Sequence, residues 1–149
     1  MDRADALDLV ATTLVSRTSR LARLLMGRGS RQLTRTEAGL LATLLDGPRR
    51  ITELAETEGL AQPSVSKLVD KLEARRLVLR GRAADDGRAV LVSISTEGER
   101  TLESARSEIR ALLRQSLVGL GDEDLAALVK SSEVIERLVR SLQVGEGRQ

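Results

Sequence analysis

The 149-residue chain has no cysteine, no histidine and no aromatic residue. Without cysteine there is no disulfide, no thiol nucleophile and no thiolate metal cluster, and thiol oxidation is excluded as a sensing chemistry. Without histidine, the commonest general base and the commonest zinc ligand are gone as well. Without Phe, Tyr or Trp the core must be packed from Leu, Val, Ile and Ala, which lack the large burial of a ring. Sharing a core with a second copy of the chain is one remedy. Long apolar runs are also missing. The start, "MDRADALDLV", threads acids through its apolar residues and offers neither a signal peptide nor a membrane span. These absences lead to the expectation of a cytoplasmic protein with no membrane contact and no cofactor or metal.

The charge that is present is unevenly spread. The formal net charge is only +2, yet residues 61–95 carry Lys67, Lys71, Arg75, Arg76, Arg80, Arg82 and Arg88 against Asp70, Glu73, Asp85 and Asp86. The segment before is nearly balanced and the segment after is acidic. A basic middle is what a nucleic-acid surface requires, although a solvated face would look similar.

Apolar spacing lays out the elements. Leu7, Val10, Leu14, Leu21 and Leu25 give an amphipathic helix over 4–26. Thr34 and Glu37, three apart, form a capping box for a helix striped by Leu40, Leu41, Leu44 and Leu45, which Gly47-Pro48 stops. A short helix follows in "ITELAETEG", with Thr52 as its N-cap and Gly59 as its terminator. Next, Val65, Leu68, Val69 and Leu72 bury one stripe of a helix that tolerates Pro63 in its first turn. Its other face presents Gln62, Ser64, Ser66, Lys67, Asp70 and Lys71.

Period two then replaces the helical period. With Asp86-Gly87 as a two-residue turn, Asp85 pairs with Arg88. Leu79, Gly81, Ala83, Val90, Val92 and Ile94 then share the inner face, and Arg80, Arg82, Leu91 and Ser93 point outward. Thr96 and Glu99 make a second capping box for a long helix carrying Leu102, Ile109, Leu112, Leu113 and Leu117. Gly98 sits in its first turn at some cost in propensity. After "GLGDEDL", Leu125, Leu128, Val129, Ile135, Leu138 and Leu142 stripe the last helix.

The stretch "ITELAETEGLAQPSVSKLVDKLEARRLVLRGRAADDGRAVLVSISTEGE" resembles the winged helix-turn-helix of the MarR family of bacterial transcription regulators. "PSVSKLVDKLEARRLV" is similar to the family's recognition helix. "DDGRAVLVSISTEG" is similar to its wing, with the Asp-x-Arg signature at Asp86 and Arg88. Two departures stand out. Ala61 replaces the usual Ser or Thr before the recognition helix, so that its cap either shifts to Gln62 or is weaker. Arg76 replaces the usual Gly at its end, which costs a left-handed cap.

The resemblance implies a mainly α fold with a small β-hairpin wing, a winged helix-turn-helix flanked by N- and C-terminal dimerisation helices. Its expected divisions are an N-terminal dimerisation helix (1–30), the DNA-binding domain (31–97) and C-terminal dimerisation helices (98–149). It implies a homodimeric repressor that binds a pseudo-palindromic site on double-stranded DNA and is released by a small-molecule effector. The effector cleft would lie between the dimer helices and the winged domain.

On the residues themselves, Gln62 suits adenine, Lys67 suits guanine, and Ser64 and Ser66 suit a base or a phosphate. Pro63 and Lys71 complete the recognition-helix face. Thr52, Arg80 and Arg82 are phosphate candidates. Arg88 is placed to enter the minor groove, and the resemblance gives Asp86 the role of orienting it. Leu7, Val10, Leu14, Leu128, Ile135, Leu138 and Leu142 are the dimerisation candidates. The alternative is a helical interaction module that keeps the winged fold without binding DNA. Ser64 and Lys67 also have the S-x-x-K spacing of serine acyl-enzymes, but the companion motifs are missing, so catalysis is not expected.

Overall fold

Apolar spacing and helix caps set most of the element boundaries. The computed structural model describes residues 1–29, 32–82 and 90–146; the Asp86-Gly87 turn and Arg88 lie outside the described residues. In order the elements are α1 (Arg3–Gly29), α2 (Arg35–Leu44), β1 (Arg49–Arg50), α3 (Ile51–Glu58) and α4 (Gln62–Ala74). They continue with β2 (Val78–Arg82), β3 (Val90–Ile94), α5 (Thr96–Leu117) and α6 (Asp122–Glu146). The result is mainly α with a small antiparallel sheet, as expected. The two-residue strand β1 was not foreseen: it pairs with β3, so the sheet order is β1-β3-β2.

Two compact units divide the chain, Met1–Leu112 and Leu113–Gln149. In the first, the core is drawn from residues between Leu33 and Ala105, with Leu40, Leu41, Leu54, Val65, Val69, Leu72, Val78 and Val92 fully enclosed. Leu45, expected on the α2 stripe, is instead exposed at the helix's C-cap. No residue of α1 joins the core: Leu7 and Val10 are exposed and Leu14 is half-buried. The second unit has no buried residue among those described; Leu128, Leu138 and Leu142 are exposed and Ile135 is half-buried.

The Thr34 box forms as expected. Thr34 Oγ1 accepts from the Glu37 N–H at 3.2 Å, and Glu37 Oε2 accepts from the Thr34 N–H at 2.7 Å. The other two caps each move back one or two residues, and for one reason. A residue tied to the sheet or to the segment beside it starts the helix that follows. Arg50, paired across to Leu91, caps α3, and its N–H donates to Glu53 Oε2 at 2.8 Å, which leaves Thr52 inside the first turn. Ser95, whose N–H donates to Leu77 O at 3.0 Å, replaces Thr96 as the cap of α5. Its Oγ accepts from the Gly98 N–H at 2.9 Å and donates to Arg76 O at 2.6 Å.

Arg76 does not forgo the left-handed cap; it adopts it, with φ of 60°. The Leu77 N–H donates to Leu72 O at 2.9 Å and the Arg76 N–H to Glu73 O at 2.8 Å. These are the paired bonds of a Schellman ending, made by Gly59 and Leu60 at the end of α3 as well. A side chain in this region carries a steric penalty that glycine escapes. Arg76→Gly is therefore expected to raise stability by about 1 kcal/mol, measured as a higher urea midpoint.

The hairpin register differs from the one extrapolated from a two-residue turn. Val78 pairs with Ile94, Leu79 with Ser93, Arg80 with Val92, Gly81 with Leu91 and Arg82 with Val90. An odd number of residues lies between Arg82 and Val90 in the sequence, whereas the extrapolated register requires an even number between paired residues. A one-residue slip flips every side chain of a strand. Here it buries Val78 with Val92 and turns Leu79 out to 55% exposure. It also brings Arg80 onto the Val92 face, where an outward side chain was expected.

Candidate nucleic-acid interface

The α3–α4 corner is built by Gly59, whose φ of 63° lets the chain reverse directly after α3. Ala61 then serves as N-cap of α4 without any side-chain bond, so this helix start is less well satisfied than that of α2. No acid stands in the first turn of α4, leaving the positive end of the helix dipole uncompensated. Val65, Val69 and Leu72 pin the helix to the core. Gln62, Pro63, Ser64 and Lys67 are exposed beside that start, and Ser66 is half-buried. The expected base-reading residues thus share one accessible surface.

The cations sort into two groups. Among the described residues, Lys67 and Arg82 are exposed and have no ion-pair partner. Lys71 and Arg80, also expected to contact DNA, are engaged within the chain. Arg80 bridges β2 to α4, with Nη2 at 2.6 Å from Asp70 Oδ1 and Nη1 at 2.8 Å from Glu73 Oε2. The Asp70 hydrogen bond raises its pKa against the opposing effect of burial. Arg80 therefore holds the hairpin against the helix. Arg82, one pleat further out, remains available to a phosphate.

Lys71 Nζ lies 2.8 Å from Glu37 Oε1, the carboxylate that also closes the α2 capping box. Arg75 joins the same oxygen at 3.2 Å and donates through Nη2 to Gln32 O at 2.6 Å. Glu37 is only 2% exposed. Burial pushes its pKa up, but the hydrogen bonds from Lys71 and Thr34 outweigh that and hold it below the ordinary carboxylate value. Sequence reasoning finds Glu37 as a cap and misses it as the anchor of α4. The available signal was the Lys71–Arg75 spacing of four, which places two cations on one helix edge. Thr52 is exposed in the first turn of α3, flanked by Arg49 and Arg50, two further cations that the hairpin reading overlooked.

Within the first unit, a pocket of about 610 Å³ has an apolar wall that includes Met26, Leu33, Leu102 and Ile109, with Arg35 and Arg106 also lining it. Among the described residues, no group of side chains is arranged to hold a metal ion, and no helix is long and apolar enough to cross a membrane.

Residues 31–89 match the model of the MarR family. Solved structures resemble the chain over nearly all its length. The transcriptional regulator BldR from Sulfolobus solfataricus is 26% identical, with TM-score 0.65, covering 92% of this chain and 99% of that one. A MarR family protein from Bacillus stearothermophilus is 20% identical, with TM-score 0.72, covering 94% and 99%. The PcaV transcriptional regulator from Streptomyces coelicolor, solved in complex with its natural ligand, is 22% identical, with TM-score 0.59, covering 89% and 96%.

Proposed function

We propose that this chain, which belongs to the MarR family of transcription regulators, is a homodimeric, cytoplasmic repressor released from its operator by a small molecule. The observation that carries the DNA-binding part is the accessible start of α4. There Gln62, Ser64, Ser66 and Lys67 stand together beside an uncompensated helix N-terminus, over a stripe that is fully buried. Such a helix enters the major groove with its first turns against base edges. Arg82 and Thr52 take phosphates, and Lys71 contributes charge from its pairing with Glu37. Arg88, oriented by Asp86, reaches the adjacent minor groove.

The dimer is supported by the apolar side chains that α1 and α6 leave in solvent, Leu7, Val10, Leu128, Leu138 and Leu142 among them. Apolar side chains left exposed along each of these two helices suit an interface. In this reading residues 1–30 and 98–149 pair two copies, and residues 31–97 carry the DNA-binding face. Effector release is supported by the 610 Å³ pocket, whose size suits a small ligand. With no ring in its wall, it selects for an apolar body with an anionic group facing Arg35 or Arg106, not for a stacked planar system.

The test is a selection from random duplex DNA. It should enrich a two-fold pseudo-palindrome with half-sites about 34 Å apart, one helical turn, and affinity should fall steeply with salt as counterions are released. A single half-site would overturn the dimer. No enrichment, together with a salt-insensitive protein partner, would replace DNA binding with an interaction module. On the selected site, Lys67→Ala should weaken binding by about 1–3 kcal/mol, measured by fluorescence anisotropy of labelled DNA. Unchanged affinity would remove Lys67 from the base-reading set.

A further inference from the structure

Helix α4 carries one fully outward acid, Asp70, to which the DNA-binding residues named above give no task. Asp70 stands three residues after Lys67, one turn along the same face, and its side chain is 61% exposed. A carboxylate on a surface that has to meet phosphates weakens binding unless its charge is answered and its oxygens are used. The charge is answered. Arg80 donates through Nη2 to Asp70 Oδ1 at 2.6 Å and through Nη1 to Glu73 Oε2 at 2.8 Å, so one guanidinium from β2 fixes both acids of the helix. Only one oxygen of Asp70 is spent in this way. Among the described residues, Oδ2 has no hydrogen-bond partner. Asp70 is therefore a neutralised, oriented carboxylate with an acceptor left over on the outer surface of α4.

We propose that, on the reading of α4 as a groove-entering helix, Asp70 is a base-reading residue that accepts from the N4 amine of a cytosine, with Arg80 as the positioning residue that aims it. The chemistry selects the base. In the major groove guanine shows two acceptors and thymine an acceptor and a methyl group, and neither offers a carboxylate a donor. Adenine sets its N6 amine beside the N7 acceptor, whereas cytosine presents the amine alone. Lys67 only donates and ionised Asp70 only accepts, so adjacent turns of α4 read opposite kinds of edge. Three residues advance a helix by about 4.5 Å, close to the step of about 3.4 Å along one DNA strand. With α4 lying along the groove, the cytosine stands at or beside the base pair that Lys67 reads.

The test repeats the duplex selection with the full chain as wild type, Asp70→Asn and Arg80→Lys, each checked for folding by circular dichroism. Wild type should enrich a cytosine at one position of each half-site. Asp70→Asn should move that preference to adenine, because an amide pairs with both N6 and N7, and leave the other positions as they were. Arg80→Lys keeps the charge but not the fork, and should blunt the cytosine preference without moving it to adenine. On wild-type protein, a pyrimidin-2-one nucleotide in place of that cytosine removes the amine and should weaken binding about fivefold or more. The same replacement should cost Asp70→Ala less than twofold. An Asp70→Asn profile identical to wild type would overturn the assignment and leave Asp70 as a tether for Arg80. Wild-type binding indifferent to the missing amine would overturn it as well. Enrichment of a site without the cytosine would remove this assignment alone, whereas no enrichment at all would remove the DNA reading with it.

Discussion

Gly98→Ala is expected to destabilise the winged unit by about 3 kcal/mol, seen as a large drop in urea midpoint together with loss of DNA binding. A β-carbon on Gly98 would stand 2.1 Å from Leu77 O and 2.9 Å from Ile94 Cγ1. The carbonyl cannot yield easily, because it accepts the Ser95 N–H that positions the α5 cap. Leu77 is itself locked by its Schellman bond to Leu72. Relief would therefore have to move the end of α4, the start of β2 and the first turn of α5 together. The propensity cost of a glycine in a first turn is small beside that rearrangement. If Gly98→Ala unfolded with the wild-type midpoint, the close approach would be wrong.

Glu37→Gln carries the second large effect, a loss of about 2 kcal/mol near neutral pH after allowing for the exposure of Lys71. Glutamine keeps the shape but turns one of the two acceptor oxygens into an NH2 donor. The change therefore removes the charge together with one acceptor for Lys71, Arg75 or the Thr34 N–H. The pH dependence has a definite sign. Because the folded pKa of Glu37 lies below its ordinary value, its stabilisation is fully present above the unfolded pKa of about 4.3. It is lost as pH falls through the folded value. Wild-type stability should therefore drop on the acid side of that window, and Glu37→Gln should flatten the drop. Urea midpoints measured from pH 6 down to pH 3 check both statements. Parallel acid limbs in the two proteins would show that Glu37 is not the titrating group.

Local signals were legible in the sequence; long-range ones were not. The Thr34–Glu37 box, the Gly59 terminator and the Val65, Leu68, Val69, Leu72 stripe depend on residues within one or two turns, and each stands as the spacing predicts except that Leu68 is only half-buried. The hairpin register depends on how residues 83–89 connect the strands and on the competition between Val78 and Leu79 for the core. No local rule decides that competition. Strand β1 is too short to show a period, yet its pairing with β3 shifts the cap of α3 to Arg50. In the same way, Ser95 outcompetes Thr96 because its N–H is already tied to Leu77 O next to the sheet.

The candidate site shows the same limit. The exposed set at the start of α4 followed from the helical period alone. The pairing of Arg80 with Asp70 and Glu73, and of Lys71 with Glu37, required the fold. Two residues assigned to DNA by charge and position are thereby also parts of the frame. A basic residue beside a groove-reading helix can serve the nucleic acid or the scaffold, and only partner distances separate the two.

The bonds of α4 also set a gradient of rigidity along it. Its far end is fastened by the Schellman ending, by Glu37 and by Arg80, while its near end begins at Ala61 with no side-chain acceptor for a free amide. The Ser64 N–H is held by Ala61 O and Pro63 has none, so the unmet need at this end is the Gln62 amide. A phosphate oxygen arriving there would supply the acceptor that the Ala61 side chain lacks. Ordering of that end would then accompany recognition, making association enthalpically favourable and entropically costly at the same few residues.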